Sequence, residues 1–223
     1  MTKTDQRSNT QRAVDELRDM IFRGDLGPGS SHLEGDLAET LGMSRTPVRE
    51  AALTLEAQGL VELRPRRGIR VVPVSPQDMS DIYDVLTELE GLAAEKAAEQ
   101  SYTREELRDM TNAIYDMEAA LAKKDLRAWS DADDRFHREL VNLSKNKRIA
   151  NIAMMLEDQV RRAKSITLHM RPLPSRSNDD HRDVLGAIAS GDPVLARRIH
   201  TVHRAEAKRI ILDLLEKYRL RQL

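Results

Sequence analysis

The 223-residue chain contains six histidines, and three of them stand where helical periodicity asks for leucine. His137 follows Asp133 by one helical turn, on a segment whose apolar face carries Phe136 and Leu140. His181 shares a stripe with Leu185 and Ile188, and His203 falls in the middle of Ala196, Ile199, Ala207, Ile210 and Leu214. A buried aspartate is costly unless a cation or strong donors neutralise it. One carboxylate and three imidazoles from three helices, all facing one core, have the chemistry of a divalent-metal site. Such donors suit zinc, nickel, iron or manganese alike. A single histidine on an apolar face is more often a satisfied core residue than a ligand, so the weight rests on all four coinciding. His200 falls about 60° off the stripe and reads as a residue supporting the ligands from behind or as exposed, and His169 lies at a helix end. Neither is counted as a ligand.

A second chemistry lies at Ser44–Ala51, SRTPVREA. Ser44 is an N-cap residue by type, and Pro47 falls in the first turn, where its missing N–H costs nothing. Arg45 and Arg49 project one turn apart from one side. Arginine can pair with guanine O6 and N7, while serine and threonine anchor phosphates. Arg64, Arg66, Arg67 and Arg70 fall in a run of seven residues without an acid, a local patch for phosphates. The charge is only local. The chain has a net charge of −1, and residues 1–74 carry eleven basic and eleven acidic side chains.

These residues need elements to hold them. Charged residues make up 33% and aromatics 3%, which favours amphipathic helices over sheets. Val14, Leu17, Ile21 and Phe22 predict a first helix stopped by Gly24, and Leu33, Leu37, Ala38 and Leu41 a short second one closed by Gly42. The Ser44 helix follows after a short turn, as in a helix-turn-helix. Residues 60–63 and 69–72 alternate around a turn at 65–68 and predict a two-stranded hairpin. Together these make a winged helix-turn-helix over 1–74. Ser75-Pro76 then opens an all-helical stretch, 75–223, read as an antiparallel bundle of six helices. Thr103 and Glu106 supply a capping box for its second helix, and Pro172 and Pro174 end its fourth. The fold class is therefore mainly α. There are no cysteines, no apolar signal-peptide core at the start and no long apolar run, so a cytoplasmic protein without a membrane partner is expected.

Gly27-Pro28-Gly29, Asp36-Leu37-Ala38, Leu41 through Ala51, Leu55-Glu56, Gly59-Leu60-Val61 and Gly68 closely resemble the GntR family of bacterial transcription regulators. The resemblance implies operator contacts from Ser44, Arg45, Thr46 and Arg49, and a wing tip at Arg67-Gly68 entering the minor groove. Glu90-Gly91-Leu92-Ala93-Ala94, Asp133-x-x-Phe136-His137-x-x-Leu140, His181-x-x-x-Leu185 and Ala196…His203 are similar to the effector (FCD) domain of its FadR branch. There the matching aspartate and histidines hold a divalent ion, and a small-molecule effector, commonly a small carboxylate, takes the open positions. The helix count resembles the six-helix, VanR-like subgroup.

Two departures stand out. Gly35 replaces an arginine that many relatives carry, leaving nearby His32 as a possible substitute contact or a plain loop residue. Leu86 replaces an arginine that often faces the effector, which leaves Arg161 or Arg162 to grip an acid if one is gripped. The implied function is a homodimeric regulator, a repressor by the commoner family behaviour, that binds double-stranded operator DNA under control of an effector. It is not expected to be an enzyme. The alternatives are a regulator for which the ion itself is the signal, and a metal-dependent enzyme fused to a DNA-binding domain.

Overall fold

Val14, Leu17 and Ile21 form the buried face of helix α1 (Asn9–Arg23), closed by Gly24 in a left-handed conformation. The protein is described from a computed structural model covering residues 8–220, in two compact units, one ending at Val74 and the next starting at Ser75. In the first unit, β1 (Ser31–His32), α2 (Glu34–Thr40), α3 (Arg45–Ala57), β2 (Val61–Arg64) and β3 (Gly68–Val71) follow α1. Leu17, Val48, Leu55, Leu60 and Val71 join its core.

The expected two-stranded hairpin is part of a three-stranded antiparallel sheet, ordered β1-β3-β2. Leu63 pairs with Ile69 and Arg64 with Gly68, while the added strand pairs Ser31 with Arg70 and His32 with Ile69. A two-residue strand has too few positions to show alternation, so the sequence gives no warning of it. His32 is thus a strand residue, with Nε2 2.6 Å from Ser30 Oγ. The third strand also explains Gly68. It has φ +77°, and a Cβ there would stand 2.2 Å from the carbonyl oxygen of His32.

The second unit holds α4 (Pro76–Ala98), α5 (Arg108–Ala122), α6 (Leu126–Leu143), α7 (Lys147–Thr167), a 3-10 turn at Leu168–Met170, α8 (Ser175–Ser190) and α9 (Pro193–Lys217). Ser75 and Asp78 cap α4 reciprocally, each side chain accepting from the other's backbone amide. The Thr103–Glu106 capping bonds form as well, but they close a turn, and α5 begins only at Arg108. Phe136, Leu140, Met110, Met117 and Val184 build the core between α5, α6 and α8. Trp129 on α6 donates to Asn178 Oδ1 on α8 at 2.8 Å, a buried bond that sets these two helices against each other.

Helix α9 lies along both α4 and α8. At the crossing with α4, a Cβ on Gly91 would stand 2.9 Å from Thr201 Oγ1, so the helices approach through a gap that any side chain would fill.

Replacing Gly68 with alanine tests the sheet: strain and the clash with His32 destabilise the N-terminal unit by about 1–3 kcal/mol, read as an earlier unfolding transition. Reduced operator affinity with unchanged unfolding would instead tie Gly68 to DNA alone.

Candidate metal centre and nucleic-acid interface

On α3, Ser44, Arg45, Thr46 and Arg49 are all exposed. Ser44 occupies the N-cap position, but its hydroxyl makes no capping bond, contrary to what its type suggests. Its hydroxyl is therefore open to an outside acceptor or donor such as a phosphate. The Arg45 guanidinium lies over the start of α2, where a Cβ on Gly35 would stand 3.1 Å from its Nη2. Gly35 is thus the floor under the Arg45 side chain.

At the wing, the tip is Pro65, Arg66 and Arg67, all exposed, while Gly68 is half-buried at the start of β3. The run Arg64–Arg70 has no acid within it, but Glu62 on β2 supplies one. Its Oε2 lies 3.1 Å from Arg64 Nη2 and 3.4 Å from Arg70 Nη1. The basic patch is therefore smaller than its composition suggests, and its uncommitted charge is at Arg66 and Arg67. Arg64 and Arg66 line a shallow groove together with Arg45 and Arg49.

In the helical unit, Asp133, His137, His181 and His203 are all buried and converge. One ring nitrogen from each of His137, His181 and His203 lies within 4.8 Å of the others. Asp133 Oδ1 is 3.6 Å from both His137 Nε2 and His181 Nε2. Both ring nitrogens of His137 and of His181 are buried without a hydrogen-bond partner among the described residues. Buried polar atoms are rarely left so, and unpaired ones ask for a ligand. His181 is pushed well below its ordinary pKa by burial, as is His203 in the same direction, so both present neutral imidazoles. Asp133 stays ionised: burial raises its pKa, but Lys164 and His137 outweigh that and hold it well below. Three imidazoles and one carboxylate fit a divalent metal.

Residues not expected among the ligands surround the cluster. Glu90 on α4 is gripped by Arg204 on α9 through both carboxylate oxygens, and Arg204 Nη2 also donates to Glu157 Oε1 at 2.7 Å. His200, expected to support the ligands from behind or to be exposed, is fully buried with Nε2 2.6 Å from Glu90 Oε2. His137 Nδ1 is 3.2 Å from the same oxygen, near enough to attract charge but not aligned as a hydrogen bond. Lys164 on α7 is buried, its Nζ 2.6 Å from Asp133 Oδ2 and 3.2 Å from Asp134 Oδ1. Helix α9 is covered on two sides, so His200, Arg204, Ile211 and Leu215 are buried beside the expected stripe.

The cluster opens on a cavity of about 210 Å³ walled by Asp133, His137, His203 and Lys164 together with Arg171 and Arg176 of the α7–α8 connection and α8. That is room for about seven waters. The expected pocket residues lie elsewhere. Leu86 is fully buried away from the cavity wall, as core packing would have it. Arg161 pairs with Asp134 at 3.1 Å on a partly exposed face, and Arg162 is buried, its pKa lowered to about 10 by that burial. Neither lines the cavity.

The family model for bacterial regulatory proteins of the gntR family matches residues 9–71, and that for the FCD domain matches residues 81–206. The chain belongs to the GntR family. A Streptomyces ambofaciens HTH-type transcriptional regulator "in unstable DNA locus" is 31% identical over 98% of this chain and 90% of its own length. A probable D-xylose utilization operon transcriptional repressor of Paenarthrobacter nicotinovorans is 30% identical over 92% and 91%. E. coli McbR/YncC has the same fold, with a TM-score of 0.81 at 22% identity over 94% of this chain and 99% of that one. This GntR regulator, of the FadR branch with an FCD domain, is a transcription regulator and not an enzyme. No helix among its described residues is long and apolar enough to cross a membrane.

The buried histidines give the metal-free regulator a pH dependence. His181, His200 (to about 3) and His203 are held below their ordinary values by burial, so below pH ~6.5 the unfolded chain takes up protons that the folded chain refuses. Glu157, raised by burial to about 7, works the other way, its contribution being lost as pH rises. His137, whose raised pKa puts it on the side of Glu157, is protonated in the unfolded chain as well below pH ~6.5, so the three lowered histidines prevail and stability falls from pH 6 to pH 5. Denaturant midpoints with chelator present check this, and a flat profile would refute it.

Proposed function

We propose that this GntR regulator is a homodimeric, cytoplasmic repressor whose grip on a two-fold operator is released by a small anionic effector bound beside a divalent metal ion. The observation that carries the reading is the set of partnerless ring nitrogens on His137 and His181, next to Asp133 and His203, with His137, Asp133 and His203 at the wall of one cavity. His137, His181, His203 and Asp133 would hold the ion, whether zinc, nickel, iron or manganese. When bound, it would supply a Lewis-acidic anchor for a carboxylate. Arg171 and Arg176 add positive charge to the cavity rim, a role earlier expected of Arg161 or Arg162. The name of the Paenarthrobacter relative supports repression as the sign of control.

At the DNA end, Arg45 and Arg49 are the base readers, Ser44 and Thr46 hold phosphates, and Arg67 with Gly68 shapes the wing tip. Two such helices in a dimer would enter successive major-groove faces. The effector acts only through a difference in its affinity for the DNA-competent and DNA-incompetent arrangements.

Two measurements test the reading. Arg45→Ala and Arg49→Ala should each weaken operator binding by about 1–3 kcal/mol, and unchanged affinity in both removes the assignment. Native mass spectrometry of the purified chain should find one divalent ion per protomer, lost in His137→Ala. Operator titration in a chelator then separates roles. Loss of DNA control by the ion alone would make the ion the signal, and no change in DNA binding or acid response would sink the metal reading.

A further inference from the structure

We infer that Lys164 is a built-in counter-cation to Asp133, holding that carboxylate when no divalent ion is bound and weakening the binding of one. The inference rests on reading the histidine cluster as an ion site. Lysine is almost never fully buried unless paired, and Lys164 is only 5% exposed, on the inward face of α7 beside Ala163 and Thr167. Its pairing divides Asp133 in two. Oδ2 accepts from Lys164 Nζ at 2.6 Å, while Oδ1 faces the Nε2 atoms of His137 and His181 at 3.6 Å.

This arrangement removes a demand that a buried aspartate otherwise makes. Without an internal cation, Asp133 would need a metal to be tolerated in the core. With Lys164 in place, the helical unit can stand with its carboxylate satisfied and its imidazoles waiting. The ammonium is also anchored independently of Asp133, because Asp134 Oδ1 lies 3.2 Å from it and Asp134 is itself held by Arg161 Nε at 3.1 Å. Turning Asp133 toward an ion would therefore leave Lys164 where it is.

An ion bound to Oδ1 meets two costs. Its carboxylate ligand is already shared with an ammonium, which makes it a poorer donor. The ammonium's charge also sits on the other oxygen of the same carboxylate, and like charges at such range repel strongly in a low-dielectric interior. Both act in the direction of an exchangeable ion rather than a permanent structural one.

The test compares the wild-type chain with Lys164→Gln, each stripped of metal and titrated with zinc or manganese against a chromophoric chelator. The dissociation constant should drop by about tenfold or more in the variant, and an equal or larger constant overturns the inference. A second readout involves no metal. In chelator, Lys164→Gln should melt below wild type, and adding Asp133→Asn should recover part of the loss. Failure to recover would mean that Lys164 is not the counter-ion of Asp133. If Lys164→Gln does not fold, Lys164→Gln with Asp134→Asn removes one charge of each sign and carries the same comparison. An ion on the variant but none on wild type supports the inference in its strongest form. No ion on either protein overturns it together with the metal reading beneath it, whereas an ion on both at equal affinity overturns the inference alone.

Discussion

Arg204 and Glu90 meet inside the helical unit, where a carboxylate left alone would be intolerable and a guanidinium nearly as costly. Each is almost wholly buried, and the pair ties α9 to α4. Two oxygens meeting one planar fork leave little freedom, so the pair fixes the rotation of both helices as well as their distance. The rest of the site takes its orientation from there. Glu90 accepts from His200 and draws on His137 Nδ1, which turns the other face of the His137 ring toward Asp133 and His181. Breaking such a pair costs more than its presence contributes, because the survivor stays buried and unpaired.

The electrostatics of the cluster form one coupled set. His137 is pushed down by burial and by Arg204, yet Glu90 and Asp133 prevail and its pKa is raised. His181, with the same burial and no such pair of carboxylates, goes the other way. Neighbouring imidazoles are thus prepared differently by their second contacts. At the DNA end the same logic runs in the open. Glu62 draws two of the four wing arginines toward the sheet, which leaves the exposed tip to Arg66 and Arg67.

Much of this was legible in the sequence because amphipathic stripes report burial directly. Asp133 and His137 fall in register with Phe136 and Leu140 on α6, and they are buried as that register requires. Stripes fail where a helix is covered on more than one side. On α9 this hid the burial of Arg204, and left His200 between a supporting and an exposed reading, next to Ile199 and Ala207. Lys164 failed for a related reason, since a lysine beside Ala163 gives no sign that two aspartates on another helix await it. Strand β1 is too short for any period, and the start of α5 slipped because its capping box closes a turn before the helix proper. Leu86 is the reverse case: it is fully buried, as core packing requires, and does not line the cavity.

Gly91 contributes no polar atom to any of this, yet the approach of α4 to α9 passes through the space its missing side chain leaves. The neighbouring residue is Glu90, so the width of that gap is also the reach of the ion pair. The cluster is therefore vulnerable at a position that carries no charge. A methyl group there meets the Thr201 hydroxyl, which can turn aside, but a larger side chain would act as a wedge, and every ligand, acid and base could remain in the sequence while the geometry that makes them a site was lost.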